Sequence, residues 1–254
     1  MQGLVALLLA AALQQDQTPR APAFNATYFE LAASTGGDFY FWAPGEFAAA
    51  NLKVPVHHED VLLSYGSIDA EHTFEIPIES GAKAMTVFAG IERKDLAVLV
   101  RPDGTVVRDG VQSFQKMLIA TVPSPQAGTW RLELHGHGHY AVTAHVDPGA
   151  DGIELIGVEF VEEGGRPGHE GMFPIKRAVR RGEKLTCRVS LDGKTKHARF
   201  VFVDGEGKEI DATPLHGEYV PCTVPSVAYR AGVIGADVEG RAFVRVMPPL
   251  RTPE

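Results

Sequence analysis

Positive charge is in short supply in this chain. Its 24 Lys and Arg residues stand against 32 Asp and Glu in 254 residues, a formal net charge of -8. Nucleic-acid binding needs a basic patch to neutralise phosphates, and none gathers here. The densest run, Lys176-Arg177 with Arg180-Arg181, reads as a solvated loop. Nucleic acid is therefore not an expected partner. Cysteine is scarce too. Only Cys187 and Cys222 are present. One disulfide is open to them in an oxidising compartment, but sequence alone does not place their Cα atoms within bridging distance. Two thiols without histidines at ligand spacing make a poor zinc site.

Catalytic frames are also missing. There is no G-x-S-x-G nucleophile elbow. His58-Glu59 and His169-Glu170 each begin like a zincin helix, but neither has a histidine three positions after the glutamate. Gly193-Lys194-Thr195 has the end of a phosphate-binding loop without its upstream glycine, since Arg188 stands there. No catalytic residue, cofactor or enzymatic activity is expected.

What the chain does have begins at its N-terminus. Leu4 to Leu13 is an unbroken run of Leu, Val and Ala. It is shorter than the roughly 20 residues a membrane-spanning helix needs and fits the apolar core of a secretory signal peptide, although no Lys or Arg precedes it. The expectation is a signal peptide over residues 1–15, a polar linker over 16–26, and a secreted, periplasmic or cell-surface protein with no transmembrane segment after cleavage. Residues 27–53 read as helix, strand, helix. Ala26 to Ala33 is the first helix, with Asn25 as its cap and Ser34-Thr35-Gly36-Gly37 as its stop. Asp38-Phe39-Tyr40-Phe41-Trp42 is the strand, more readily buried than a binding edge. Pro44 to Leu52 is the second helix.

From Val54 the texture changes to short alternating runs between turn residues. Candidate strands are Val61–Tyr65, Thr73–Ile78, Met85–Ala89, Leu96–Arg101, Thr105–Arg108, Met117–Val122, Thr129–His135 and Tyr140–Val146. Pro102-Asp103-Gly104 is a turn between two of them. Trp130, Leu132 and Leu134 alternate with Arg131, Glu133 and His135, the period of a half-buried strand. Asp147 to Gly152 contains the best domain boundary. Beyond it Ile153–Val161, Leu185–Leu191, Arg199–Val203, Val227–Ala236 and Ala242–Met247 read as strands, with Asp192-Gly193 and Asp204-Gly205 as turns. Many short strands at such spacing mean sandwiches or barrels. The expected fold is mainly β: a β-sandwich over 54–148, an Ig-like β-sandwich over 149–248 and a frayed tail at 249–254.

Three histidines are metal candidates. His135, His137 and His139 are spaced by two, so an extended strand would project all three from one face, where imidazoles suit Zn, Cu or Ni. Gly136 and Gly138 between them favour a hairpin turn that would break the shared face. His57-His58 is a weaker pair. Asp147, Asp151 and Glu154 offer oxygen ligands for Ca²⁺, but ordinary turn chemistry explains them better. Asn25-Ala26-Thr27 is an N-glycosylation sequon.

The order of segments resembles the region that follows the von Willebrand factor A domain in hemicentin-like extracellular proteins. Tyr28 to Phe39 is similar to the late helix, glycine turn and strand of an A domain. Thr73 to Ile78, Leu96 to Gly104 and Pro125-Gln126-Ala127-Gly128-Thr129-Trp130 are spaced like the family's galactose-binding-like sandwich, closed by a hairpin like Gly138-His139-Tyr140-Ala141-Val142. Tyr229 to Asp237 resembles the late strands of a following Ig-like or fibronectin-like domain. The resemblance implies a jelly roll and then an Ig/fibronectin-like domain in a non-catalytic adhesion module. The A domain is absent, and with it the Asp-x-Ser-x-Ser metal loop, so a separately encoded A-domain partner is one option. Partners would be protein or glycan at the cell surface or matrix. Rival readings are a structural subunit of a larger envelope or matrix assembly, and a hydrolase accessory domain or cryptic metalloenzyme using His135, His137 and His139.

Overall fold

The structure is a computed structural model that describes residues 26–50 and 58–254. The expected signal peptide, most of the linker, the Asn25 cap and sequon, His57 and the end of the expected second helix lie outside the described residues. The described chain is mainly β and of sandwich type, as the alternating runs predict. Among the described residues no helix is long and apolar enough to cross a membrane.

The first unit is one antiparallel sheet of five strands: β1 (Glu59–Ile78), β2 (Ala84–Val100), β3 (Val111–Ser113), β4 (Met117–Pro123) and β5 (Gly128–Asp147). Their order across the sheet is β1-β5-β2-β4-β3. β1 and β5 each run 20 residues, about 65 Å if straight. Yet Val61 at one end of β1 and Phe74, Ile76 and Ile78 at the other belong to one core, as do Trp130, Leu132 and Leu134 with Val142, Ala144 and Val146 of β5. The strands must therefore fold over, so that one sheet supplies both walls of the core.

The bend crosses three strands at one level. Ala70 of β1, at φ 138°, pairs with Gly136 of β5, while β2 slips register between Ile91 and Arg93 and again between Lys94 and Leu96. Bulges of this kind bend a strand and increase its twist. A Cβ on Gly136 would collide with the Arg93 carbonyl oxygen, and one on Gly138 with the Glu92 carboxylate. Glycine is needed here for the close approach of β2. The hairpin expected at His135–Tyr140 is thus a kink within a continuous strand. The segments Thr129–His135 and Tyr140–Val146 are two halves of β5. Val61–Tyr65 and Thr73–Ile78 are two halves of β1, and the middle of β2 joins Met85–Ala89 to the expected strand that starts at Leu96. Thr105–Arg108 is not a strand and contributes only an isolated bridge, Val100 to Val106.

The second unit has two antiparallel sheets. One has the order β11-β8-β6-β7, built from β6 (Glu154–Gly164), β7 (Gly171–Pro174), β8 (Lys184–Asp192) and β11 (Tyr219–Thr223). The other has the order β10-β9-β12-β13, built from β9 (Thr195–Val203), β10 (Glu209–Pro214), β12 (Arg230–Asp237) and β13 (Ala242–Val246). Phe160, Val189 and Val220 of the first sheet pack on Phe200, Phe202, Val233 and Phe243 of the second. Asp192-Gly193 is not a hairpin turn, because β8 and β9 lie in different sheets. Asp204-Gly205 does open a hairpin between β9 and β10, closed by Asp204 N–H on the Lys208 carbonyl at 2.9 Å.

Helix α1 (Ala26–Thr35) ends as expected: Gly36, at φ 73°, donates its N–H to Ala32 O at 2.8 Å. The next segment corrects the helix-strand-helix expectation. Asp38–Trp42 joins no sheet, because both sides of β5 are already paired and the segment lies across the sheet face instead. Phe39 and Phe41 pack toward Phe29 and Tyr65; Tyr40 and Trp42 pack toward Phe88 and Phe114. Where a second helix was expected there is one 3-10 turn, Phe47–Ala49, which buries no residue. A longer helix there has no face to bury.

The two units share a core. Phe29, Phe41, Leu63, Tyr65 and Ala141 pack on Val201, Val203 and Val246. Two fully buried arginines fasten the seam. Arg245 of β13 pairs with buried Glu79, donates Nε to the Ile153 carbonyl at 2.7 Å, and lies 3.6 Å from Glu59. Arg230 of β12 donates to the carbonyls of Ala33, Gly205 and Pro248 and lies over the Tyr65 ring.

Candidate functional site

Strand periodicity sorts β5 into two faces. Even-numbered residues from Trp130 to Val146 face the core of the first unit. Odd-numbered residues face outward, so His135, His137, His139, Thr143 and His145 share one face, and the neighbours of β1 and β2 come with them. The continuous strand thus restores the shared histidine face that a hairpin would have broken.

The three candidate histidines do not meet one another. Each takes its own carboxylate. His135 Nδ1 lies 3.5 Å from Glu71, His137 Nδ1 is 2.5 Å from Asp69 with Nε2 3.9 Å from Asp95, and His139 Nδ1 is 3.3 Å from Glu92. Glu71 and Asp69 sit directly across the ladder from their histidines, so the register makes these pairs. They are surface pairs, each contributing about 0–1 kcal/mol. Their main effect is to hold a polar half-face in one arrangement.

The other half of the face is covered by the N-terminal segment and the second unit. There the structure assembles a group absent from the sequence reading. His145 is buried, with a side chain 5% exposed. Its Nδ1 is 2.7 Å from Asp60 Oδ1, and its Nε2 is 3.4 Å from Asp38 Oδ1. Asp38 is itself held: Thr143 Oγ1 donates to Oδ1 at 3.1 Å, and the Tyr40 hydroxyl donates to Oδ2 at 2.9 Å. The His58 ring packs edge-on against the His145 ring with centroids 4.8 Å apart, and Phe88 lies on it at 5.9 Å. Burial alone would lower the pKa of His145. The hydrogen bonds to Asp38 and Asp60, with their charges, outweigh it and push the value up to about 9. Burial raises the Asp38 carboxyl, but its hydrogen bonds and the His145 charge leave it below the usual carboxylate range.

Among the described residues one set of three potential metal ligands is brought together: His58, Asp60 and His145, with ligand atoms within 4.8 Å of one another. Of these, sequence reasoning noticed only His58, as a weak pair with His57. The residues come from distant segments, with His145 lying 85 positions from Asp60 and 107 from Asp38. The signal that could have found them is the odd-numbered parity of His145 with the histidines already singled out.

The cysteines lie elsewhere, in the second unit. Cys222 is on strand β11, not in a loop, and β11 pairs with β8, which carries Cys187. Both are buried free thiols with sulfurs 3.0 Å apart. Their mutual hydrogen bond and burial push the Cys187 thiol up. Asp147 caps a turn through Gly149 N–H at 2.9 Å.

No family model matches this chain, and no curated protein matches it. Among solved structures, the lipase BlEst2 from Bacillus licheniformis in its propeptide form aligns at 13% identity and TM-score 0.36, covering 78% of this chain and 41% of that one. A β-glucuronidase from Ruminococcus gnavus in complex with D-glucuronic acid aligns at 10% identity and TM-score 0.25, covering 69% of this chain and 35% of that one. The chain therefore spans about two fifths or less of the length of these proteins. Likenesses this weak carry no argument about ligand or reaction.

Proposed function

We propose that this chain is an exported, non-catalytic binding or adhesion module that holds protein or glycan on the uncovered half of the first unit's outer face. The observation that supports this most is the ordered polar surface across β1, β5 and β2, where Asp69, Glu71 and Asp95 surround His135 and His137. The bend and the first unit's core behind it fix that surface on rigid elements, which suits recognition without an ordering cost at binding. The hemicentin-like resemblance points to the same class of role.

The test is retention of the full chain on arrayed glycans and on cell-surface and matrix proteins. The combined substitution Asp69→Ala, Glu71→Ala and Asp95→Ala should weaken retention at least about tenfold, in line with loss of roughly 1.4 kcal/mol or more. Equal retention by that variant would move binding off this face. Turnover of ester or glycoside substrates by the wild type would overturn the non-catalytic reading.

A second reading, a structural subunit of an envelope or matrix assembly, is favoured by the edge of β1. This strand has a strand neighbour on one side only; the second unit meets its first half, where Tyr65 N–H donates to the Gly205 carbonyl at 3.2 Å, and the remaining stretch of edge is where another chain can add a strand.

A further inference from the structure

We infer that His58, Asp60 and His145 form a binding site for a divalent first-row transition cation of the zinc class, with Asp38 as the group that orients His145. This departs from the expectation of no metal and stands apart from the proposed ligand face, whose histidines are not part of it.

The donor set carries the inference. Two imidazoles and a carboxylate suit Zn²⁺ and its neighbours rather than Ca²⁺ or Mg²⁺, which prefer all-oxygen shells. The outer shell is already built. A metal-bound histidine typically gives its second ring N–H to a carboxylate, which fixes the tautomer and raises the basicity of the ligating nitrogen. Here Asp38 stands at His145 Nε2 and is itself pinned by Tyr40 and Thr143. That leaves Nδ1, on the Asp60 side, as the nitrogen that meets the ion.

The surroundings also fit. His145 is buried beside Phe88, where displacing water strengthens a charged contact. His58 is exposed just ahead of β1, so the ion has a path in from solvent. The adjustment required is small. The 2.7 Å between His145 Nδ1 and Asp60 Oδ1 must open to roughly 3.3 Å, the edge of a tetrahedron with bonds of about 2.0–2.1 Å. His58 completes the set by side-chain rotation. Three protein ligands leave one position for water or for a donor from a partner. The site would tie the N-terminal segment, through Asp38, to the start of β1 and the end of β5.

The test uses the full chain after chelator treatment. Calorimetric titration with Zn²⁺ should show one saturable site per chain, and Co²⁺ should give the intense visible bands of a tetrahedral site. His58→Ala, which removes an exposed side chain and should leave the fold intact, and Asp60→Asn should each abolish the Co²⁺ bands. Asp38→Asn should weaken Zn²⁺ binding roughly 10–100-fold, and His137→Ala should leave it unchanged. The inference is overturned if no saturable binding is seen, if folded His58→Ala protein binds as the wild type does, or if His137→Ala is the substitution that removes the metal.

Discussion

Arg245→Met should be the most costly single substitution at the seam between the two units, and the reason lies in what it leaves behind. Glu79 is 1% exposed and Arg245 is fully buried. With the guanidinium gone, Glu79 becomes a buried carboxylate without its counter-charge, and the Ile153 carbonyl loses a donor. Breaking a buried ion pair from one side costs about 3–5 kcal/mol. At roughly 2–4 °C per kcal/mol for a chain of this size, the melting temperature should fall by about 6–20 °C. Adding Glu79→Leu removes the stranded charge, so the double variant should recover roughly 1–3 kcal/mol relative to Arg245→Met alone. Denaturant unfolding followed by far-UV circular dichroism and by tryptophan fluorescence measures both quantities. The fluorescence reports the first unit, because Trp42 and Trp130 both pack there. Additive costs for the two substitutions would refute the reasoning. So would a single-variant loss below about 1 kcal/mol, the scale of an exposed pair.

Two further outcomes follow from local geometry. Mild oxidation of the folded chain should join Cys187 and Cys222, seen as a mass loss of two hydrogens and no free thiol on denaturation. The 35-residue separation implies roughly 4 kcal/mol of stabilisation from chain entropy, and thiols that stay free under oxidant would show the strand geometry to be prohibitive. Asp237 is buried, and burial raises its pKa, but N–H groups of Ser80, Glu239 and Arg241 hold the carboxyl below its ordinary 3.8. A depressed folded pKa adds stability that is present above the unfolded value and lost as pH falls through the folded one. The stability gap between wild type and Asp237→Asn should thus be constant at neutral pH and close below pH 3.8; a gap independent of pH across that range would count against the carboxylate.

Much of the fold was legible, and the misses have physical causes. Alternation at Trp130, Leu132 and Leu134 marked β5 because one face is buried and the other wet. The inner strands β6, β8, β9 and β12, and the edge strand β13, were readable for similar reasons. The edge strands β10 and β11 escaped because they expose most of their residues and carry Pro214 and Pro221, which read as breakers. The continuity of β5 escaped because Gly136 and Gly138 serve equally well in a turn and at a kink where another strand comes close. The histidine face was anticipated in principle, since period two places His135, His137 and His139 together. The His145 cluster was not, because nothing local links His145 to Asp38 or Asp60 until β1 pairs with β5 and the N-terminal segment lies over both.

The strand order places β1 at the edge with β5 as its hydrogen-bonded neighbour, and β5 begins only at Gly128. During synthesis, the twenty residues of β1 emerge long before the strand that completes them. For that interval the chain presents an unpaired strand with alternating apolar residues, the kind of segment that associates with copies of itself. Folding of the first unit is thus gated by the arrival of its last strand, and until then β1 must be kept from pairing with anything else.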